Sequence, residues 1–232
     1  MTFDLVDSNN IEMKAIISGY GRMGHMVEAA LKRHGIELAC ASEDICTVPL
    51  ELARECVCID FTTPDAFKAN YRTLAANFKA VVVGTTGWYD IAEDVFAAFR
   101  EAGTPMIWAS NFSIGVNALF AAVERACTAL KGHGYTPRVD EIHHIHKLDA
   151  PSGTAKSLGD IIAASLGETP EIGSQRIGEV PGVHTATFTS GVDKLTFTHE
   201  AFSREGLAEG AVAAALLTEG LTGVHEFKDL IL

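Results

Sequence analysis

A run of protonatable side chains stands at residues 141–155, EIHHIHKLDAPSGTA. Three histidines, His143, His144 and His146, are followed by Lys147 and by a Pro-Ser-Gly-Thr turn that leads into a segment with helical periodicity. Histidine donates or accepts a proton near neutral pH, and lysine adds fixed positive charge. The run therefore predicts a site for an anionic small molecule, with a proton donor close to it.

The spacing within this run restricts how it can work. His143 and Lys147 share strand parity, but in a straight strand they would lie about 13 Å apart. They can serve one small molecule only if the chain curls after about the third histidine. Pro151 cannot continue a strand ladder, and Gly153 permits a turn into the helix. That helix would present backbone N–H groups and the Thr154 hydroxyl to a carboxylate.

Two other uses of the histidines are weighed against this one. Imidazoles and Asp149 could bind a metal ion. In a strand, however, His144 and His146 face one way and His143 the other, so no ordinary ligand set forms locally and we expect no metal. For any one of these histidines, the default interpretation is a side chain that forms hydrogen bonds within a sheet and has no further role. That reading explains neither the lysine nor the glycine turn.

A second candidate site lies near the start of the chain. Gly19, Gly21 and Gly24 form G-x-G-x-x-G between a short apolar strand, Ala15–Ser18, and a helix from about Met23 to Arg33. Glycines allow the tight turn and a close backbone approach, and the helix N-terminus faces a pyrophosphate. A packing turn gives the same letters, so the motif is weak alone.

An acidic residue strengthens this assignment. Glu43 ends a second predicted strand, nineteen residues after Gly24, where a ribose-binding acid is expected. For Glu43 or Asp44 alone, a solvated turn is an equal alternative. An acid there binds a ribose hydroxyl and repels a 2′-phosphate, so we expect NADH to be accepted well.

Three further strands end in small or polar residues. The sets are Phe61-Thr62-Thr63, Gly84-Thr85-Thr86-Gly87 and Ala109-Ser110-Asn111-Phe112. Each alone could be turn chemistry, but ligands bind at the carboxyl ends of parallel strands. Three sets along one edge predict a cofactor cleft.

The order of elements predicts an α/β fold with two domains. Strands and helices alternate up to about residue 112, which is typical of a Rossmann-like parallel sheet. After residue 130 we predict strands in TPRVDEIHHIHK, QRIGEV, GVHTATFTS and DKLTFTHEAF, and hence a C-terminal α+β domain with a mixed or antiparallel sheet. The predicted parts are an N-terminal extension, 1–12, a dinucleotide-binding domain, 13–112, a second domain, 113–203, and a last helix, about 204–232, that could pack back on the first domain.

Composition excludes several classes of partner. The formal net charge is −12, which argues against nucleic acid or an anionic membrane as a partner. Five cysteines without a C-x-x-C pair indicate neither a disulfide framework nor a zinc ribbon, and a reducing cytoplasm fits best. No signal-like segment and no apolar run of about eighteen residues appears.

Five motifs together resemble one family. EIHHIHKLDAPSGTA, GYGRMG, DFTTP, VVGTTG and NFSIGVN resemble 4-hydroxy-tetrahydrodipicolinate reductase (dihydrodipicolinate reductase) of bacterial lysine and diaminopimelate biosynthesis. The resemblance runs from about Met13 to the C-terminus, and the E-x-H-H-x-x-K-x-D-A-P-S-G-T-A run is far more specific than the glycine motif. It implies a cytoplasmic, NADH- or NADPH-dependent reductase, usually a homotetramer, whose second domain binds the cyclic dicarboxylate and forms the oligomer.

The resemblance also implies roles for individual residues. The catalytic positions are His143 and Lys147, and the substrate-binding positions are His144, Gly153 and Thr154. The cofactor-binding positions are Ser18, Gly19, Tyr20, Gly21, Arg22, Met23, Glu43, Gly84, Thr85, Thr86, Ala109, Ser110, Asn111 and Phe112. The implied reaction is hydride delivery to C4 of the ring and protonation at C3, with loss of the 4-hydroxyl as water.

The chain departs from the family pattern at three places. Ile145 stands where many members carry arginine, and Asp44 where some carry an arginine that binds the 2′-phosphate. The link from Glu43 to CVCIDF is short, so a piece of the usual nucleotide domain is expected to be missing. Two alternatives are kept: another two-domain NAD-dependent dehydrogenase acting on an amino acid, and a non-catalytic NAD-binding regulator.

Overall fold

The computed structural model describes residues 13–231, so the predicted extension, 1–12, lies outside the described residues. The chain divides into two compact units. The first comprises the residues up to Phe112 together with Leu207–Ile231, and the second comprises Ser113–Gly206. The first contains a six-stranded sheet and the second a four-stranded sheet. The predicted fold class, a parallel α/β domain with an α+β domain, is confirmed.

The first unit is a doubly wound sheet with the strand order β10-β5-β4-β3-β1-β2. All of its strand pairs are parallel. Its strands are β1 Lys14–Ser18, β2 Glu37–Ser42, β3 Cys56–Asp60, β4 Ala80–Val83, β5 Met106–Trp108 and β10 Val224–Glu226. Its helices are α1 Arg22–Arg33, α2 Leu50–Glu55, α3 Pro64–Asn77, α4 Ala92–Ala102, α7 Glu205–Leu217 and α8 Phe227–Ile231.

The central strands explain why this sheet is parallel and covered on both faces. Every residue of β3 and β4 is buried. Strands that are buried on both faces read as continuous apolar runs, as CVCID and AVVV do. Local signals end the strands and begin the helices. Thr63 caps α3 by accepting the N–H of Ala66, and Pro64 follows at the first helical position.

Three elements of the first unit were missed by the sequence analysis. Helix α2 is only six residues long and fills the short link between β2 and β3. The chain was expected to end in one helix, but β10 follows α7 and pairs with β5, and α8 follows β10. A three-residue strand is too short to show any hydrophobic period, so only its pairing partner identifies it.

The second unit packs two helices on one face of a mixed sheet. The strand order is β7-β6-β8-β9, with β6 parallel to β7 and the other pairs antiparallel. Its elements are α5 Ile114–Leu130, β6 Thr136–His143, α6 Gly153–Leu166, β7 Glu171–Arg176, β8 Gly182–Thr189 and β9 Lys194–Ala201. Buried residues alternate along β6 and β8, as expected for strands with one face on the core.

Two predicted strands have different bounds in the structure. The strand predicted to run to Lys147 ends at His143, where the Lys147 N–H bonds to the His144 carbonyl and forms a turn. The predicted strand QRIGEV is wrong after Arg176, because β7 covers EIGSQR and a turn follows. The chain therefore curls directly after His143, and the argument that His144 and His146 share a strand face does not hold.

No helix in the range 13–231 is both long enough and apolar enough to cross a membrane.

Candidate active site

The glycine turn after β1 is fixed by close packing at two of its three glycines. Gly19 has φ +86°, and a Cβ on it would collide with the Phe61 carbonyl oxygen. A Cβ on Gly24 would collide with the Gly19 carbonyl oxygen. Gly21, at the N-terminus of α1, is exposed and has no such neighbour within 4 Å. The turn is thus rigid while the start of α1 stays open, which suits binding of a phosphate group.

A buried carboxylate ties three strand ends together. Asp60, at the end of β3, accepts the hydroxyls of Ser18 at 2.7 Å and Thr85 at 2.5 Å, and also that of Thr62. Burial raises the pKa of Asp60, and these hydrogen bonds act against that rise. β1 lies between β2 and β3, so the strand order reverses at β1. Ligands of such sheets bind where the strand order reverses. Asp60 was not among the predicted site residues, although it precedes one of the predicted sets.

Asp60 engages the side chains of two predicted cofactor-binding residues. The side chains of Ser18 and Thr85 are buried and bonded to Asp60, so they position the turns. Gly84 is also fixed, because a Cβ there would collide with the Phe61 ring. The glutamate predicted to bind ribose, Glu43, is exposed just after β2.

The remaining predicted cofactor residues divide by exposure. Arg22, Thr86 and Ser110 are exposed, Tyr20, Met23 and Asn111 are half-buried, and Ala109 and Phe112 are buried. Phe112 therefore belongs to the core of the first unit, where its ring lies 5.1 Å from that of Phe227.

In the second unit, the predicted catalytic residues are organised around Glu141. This side chain is fully buried on β6. Its Oε2 lies 3.0 Å from Nδ1 of His143, while Oε1 accepts the Ser152 N–H at 3.0 Å and Nη2 of Arg176 at 3.1 Å. Burial alone would raise the pKa of Glu141, but the hydrogen bonds from Ser152, Ser174 and Arg176 lower it to about 2. A permanent carboxylate therefore stands beside the His143 ring.

Arg176 joins this carboxylate to the loop that carries the lysine. Its guanidinium donates to the carbonyl oxygens of Lys147, at 3.2 Å, and of Asp149. The Lys147 ammonium forms a salt bridge with Asp149 at 2.8 Å. Glu141 also holds the residue that begins the next helix, so a single ion pair fixes His143, the lysine loop and the start of α6.

The start of α6 is capped by a side chain and has an exposed first residue. Ser152 caps the helix by accepting the Ala155 N–H at 3.2 Å, and Gly153 is the exposed first residue. Thr154 is half-buried in the same turn. The Ala150–Pro151 peptide bond that precedes this turn is cis.

Two of the histidines near this helix start are buried and uncharged at neutral pH. Burial lowers the pKa of His184 to about 4, and its Nε2 lies 3.2 Å from the Ser152 hydroxyl. Burial also lowers the pKa of His143, although Glu141 acts in the opposite direction. The two rings lie 5.0 Å apart.

Besides Lys147, a second cation, Arg204, lies beside one of the predicted substrate-binding residues. Nη2 of Arg204 lies 2.9 Å from Nε2 of His144. Arginine can only donate, so His144 accepts at Nε2 and carries its proton on Nδ1. Burial and Arg204 lower the pKa of His144. Arg204 supplies positive charge beside a predicted substrate residue, although Ile145 supplies none.

The same strands hold a set of three metal-ligating atoms that the sequence analysis did not weigh. Three ligand atoms lie within 4.8 Å of one another, one from each of Glu141, His143 and His184. The expectation of no metal rested on residues of one strand, whereas the pairing of β6 with β8 places Glu141 opposite His184. The expected absence of a metal stays a prediction.

Comparison with known proteins gives one consistent result. Residues 13–112 match the family model described as dihydrodipicolinate reductase, N-terminus, and residues 115–231 match dihydrodipicolinate reductase, C-terminus.

Two curated relatives and one solved structure are among the most similar. The chain is 36% identical over 233 residues to 4-hydroxy-tetrahydrodipicolinate reductase of Christiangramia forsetii, covering 94% of this chain and 98% of that protein. It is 31% identical over 263 residues to the same enzyme of Neisseria meningitidis serogroup A, covering 94% and 96%. The solved dipicolinate-bound dihydrodipicolinate reductase from Paenisporosarcina sp. TG-14 superposes with a TM-score of 0.78 at 20% identity, covering 94% of this chain and 99% of that one.

The alignment lengths show that relatives of this chain differ in length. The Neisseria alignment is longer than the 232 residues of this chain, so that relative carries additional residues, whereas the Christiangramia relative is of similar length. A short form is thus shared within the family, without loss of the histidine and lysine run in this chain. With both family models matched in order along residues 13–231, the chain belongs to the dihydrodipicolinate reductase family.

Proposed function

We propose that this chain catalyses the pyridine-nucleotide-dependent reduction of 4-hydroxy-tetrahydrodipicolinate to tetrahydrodipicolinate, in the diaminopimelate route to lysine. Family membership supports the class of reaction, an oxidoreductase acting on a small molecule. One structural observation carries the assignment to residues. The pair of the fully buried Glu141 and the half-buried Arg176 connects His143, the Lys147 loop and the start of α6 in a single arrangement.

The chemistry of each group suits a cyclic dicarboxylate. The N-terminus of α6, with Gly153 and Thr154, offers N–H groups and a hydroxyl to one carboxylate. Lys147 adds a charge that can exchange its contact with Asp149 for the substrate. Arg204 donates to Nε2 of His144 and places a positive charge beside this predicted substrate residue.

His143 is the group that moves a proton. The reaction leaves negative charge on the ring until C3 is protonated, and a histidine suits the supply of that proton, directly or through water. The free protein holds this ring neutral because burial lowers its pKa. A bound dianion acts the other way, since negative charge favours the imidazolium. Substrate binding would therefore charge the acid where it is needed.

The first unit fits a dinucleotide. When bound, the nicotinamide supplies the hydride for the conjugated double bond. Gly19 and Gly24 fix the turn, and the open N-terminus of α1 at Gly21 accepts a pyrophosphate. Glu43 is exposed at the end of β2, where its carboxylate can accept a ribose hydroxyl. Residues 42–49 contain no lysine or arginine to meet a 2′-phosphate, which favours NADH.

The test is a coupled assay. A synthase generates the unstable substrate in the cuvette, this protein is added with NADH or NADPH, and oxidation of the nucleotide is followed together with the product by mass spectrometry. Turnover that depends on the synthase supports the proposal. Oxidative deamination of amino acids would favour an amino-acid dehydrogenase instead. Nucleotide binding without turnover of either substrate would favour a non-catalytic regulator.

We also propose a cytoplasmic homotetramer. Its support is the family, the five cysteines that are all free, and the edge strand β9 of the second sheet, which pairs on one side only among residues 13–231. Sedimentation analysis over a concentration series tests the assembly, and a monomer at micromolar concentration would contradict it.

A further inference from the structure

The contact between Glu141 and His143 has a chemical consequence beyond organisation of the fold. The two residues lie two positions apart on the same face of β6, and both are buried. Oε2 of Glu141 and Nδ1 of His143 are 3.0 Å apart, yet neither atom makes a regular hydrogen bond with any described residue. Catalytic hydrogen bonds are often misaligned before the substrate binds. The short distance therefore identifies each atom as the partner of the other.

We propose that Glu141 is the positioning residue for the acid of this reaction: it holds the His143 ring with the proton on Nδ1 and leaves Nε2 to exchange a proton with the substrate or a water. A carboxylate can only accept a hydrogen bond, so the ring nitrogen that faces it must carry the hydrogen. The role of Nε2 in catalysis rests on the proposed function, whereas the assignment of the proton to Nδ1 of His143 does not.

The surroundings of Nε2 agree with this assignment. Gly182, at the start of β8, lies beside it, and a Cβ at that position would stand only 3.1 Å from Nε2. The absence of a side chain at Gly182 leaves space beside the reactive nitrogen. Any other residue there would crowd the atom that must reach the substrate.

The other oxygen of Glu141 explains why Oε2 is directed at the ring. Oε1 is held by the Ser152 N–H and by Arg176. With those two contacts in place, rotation of the carboxyl group is restrained and Oε2 stays towards His143.

The proton balance is simple. The imidazolium of His143 would give its Nε2 proton to C3 of the ring, which neutralises the negative charge that hydride addition at C4 leaves there. The imidazole that remains is neutral and keeps its Nδ1 proton towards Glu141, which stays ionised throughout. Solvent returns a proton to Nε2 before the next turnover. The carboxylate stabilises the imidazolium that donates, which is the role of a carboxylate behind a catalytic histidine in other enzymes.

A metal ion is the competing use of the same atoms, with His184 as the third ligand. The charge around them disfavours it. Arg176 already neutralises the Glu141 carboxylate, and Lys147 adds a second positive charge that acts on His143. A divalent metal ion would be repelled by the positive charges of both Arg176 and Lys147.

The experiment compares Glu141→Gln with Arg176→Met, because both break the same ion pair. In Glu141→Gln we expect kcat to fall about 10²-fold or more, in the range of an acid–base contribution. Glu141 raises the pKa of His143, so its loss should move the decline of kcat/KM with rising pH to lower pH. Arg176 lowers the pKa of His143, so Arg176→Met should leave that decline in place or move it to higher pH, while KM rises as the lysine loop loosens. A purely structural role predicts the same changes in both variants.

A second measurement does not depend on activity. Proteins with ¹⁵N-labelled histidine are compared by long-range proton–nitrogen correlation, and the His143 signals are assigned by their absence in His143→Gln. We expect Nδ1 to be protonated in the wild-type protein and the tautomer to change in Glu141→Gln.

Each outcome has one meaning. A wild-type ring protonated at Nε2 overturns the inference, as does an unmoved pH profile in a folded Glu141→Gln protein. Stoichiometric zinc by elemental analysis, with activity lost to a chelator, would replace it by the metal site. Protonated Nδ1 in a wild-type protein that makes no product leaves the positioning intact and refutes the proposed function.

Discussion

The two units use polar groups in opposite ways at the residues expected to bind ligands. In the first unit, Asp60 and the hydroxyls of Ser18 and Thr85 form hydrogen bonds with one another, so the proposed nucleotide contacts fall to backbone N–H groups. In the second unit, buried side-chain atoms stay without a regular hydrogen bond. Within the described residues, all such atoms lie there: Oε2 of Glu141 and Nδ1 of His143, His144, His184 and His199.

The difference follows from what each unit has to recognise. A pyrophosphate is bound by N–H groups that the helix end supplies, so the surrounding side chains need only to hold the turn rigid. A reaction that moves a proton needs side chains whose hydrogen bonds can be exchanged for contacts with the substrate. A buried polar group left unsatisfied costs about 1–3 kcal/mol, which favours pairs such as Oε2 of Glu141 with Nδ1 of His143.

The largest effect should come from His143→Gln. We expect kcat to fall about 10²–10⁴-fold, the usual contribution of one acid–base group. Lys147→Ala should lower kcat/KM more broadly, through the lost charge on the dianion. NADH affinity should stay unchanged in both, because these residues lie in the second unit. Steady-state kinetics and a nucleotide titration decide it. Full activity of His143→Gln would remove this ring from the mechanism.

The next effect concerns acid stability, which should differ between the units. The pKa of His184 is lowered to about 4, while an unfolded histidine titrates near 6.5. The unfolded chain thus binds the proton first as the pH falls. The contribution of neutral His184 to the free energy of unfolding is complete above pH 6.5 and is lost as the pH falls towards 4. The loss reaches about 3 kcal/mol for a shift of this size. The pKa values of His143, His144 and His199 are shifted in the same direction. Asp60 has a raised pKa, and so acts in the opposite sense.

Hydrogen exchange of peptides from each unit, at pH 7 and pH 5, measures this. The second unit should lose protection first, and His184→Gln should reduce the loss. Equal protection changes in both units would contradict the comparison.

A pair of glycine variants separates packing from ligand approach in the first unit. Gly19→Ala should destabilise the protein by about 1–3 kcal/mol, because its backbone has φ +86° and its Cβ would meet Phe61. Gly21→Ala should leave the melting temperature nearly unchanged and weaken NADH binding about tenfold, equal to about 1.4 kcal/mol. Melting curves and nucleotide titrations of both variants are needed. Unchanged NADH affinity in Gly21→Ala would place the pyrophosphate elsewhere.

A smaller effect is expected at the start of α6. Thr154→Val should raise the KM for the ring substrate about fivefold, close to the value of one hydrogen bond of about 1 kcal/mol, with NADH affinity retained. Ser152→Ala is the matched control, because it removes the helix cap and should lower stability by about 1 kcal/mol. If Thr154→Val weakens NADH binding as much as substrate binding, the hydroxyl has a structural role.

The smallest effect should be the choice of nucleotide. NADH should be used at least as well as NADPH, since Glu43 and Asp44 place carboxylates and no cation after β2. Asp44 is held by its cap on the following turn, through the Cys46 N–H, so Glu43 is the freer of the two. Kinetics with both cofactors decide it, and a tenfold preference for NADPH would disprove it. Glu43→Ala should reduce the difference in kcat/KM between NADH and NADPH.

The sequence alone determined the fold class, the family and the signals that begin the helices. These are local properties: buried parallel strands read as apolar runs, and the residues that permit a glycine turn or cap a helix are adjacent in the chain. The family motifs likewise stand in continuous segments, so the order of residues along the chain is enough to name the candidate residues of both units.

Only the tertiary structure showed which groups act on those residues. Arg176 is 35 residues from Glu141, and Arg204 is 60 residues from His144. His184 meets Glu141 through the register of β6 and β8. No periodicity in one segment encodes contacts between segments, because strand register is set by the packing of the whole sheet. For the same reason the sequence could place His143 in the run but could not show the buried carboxylate beside it.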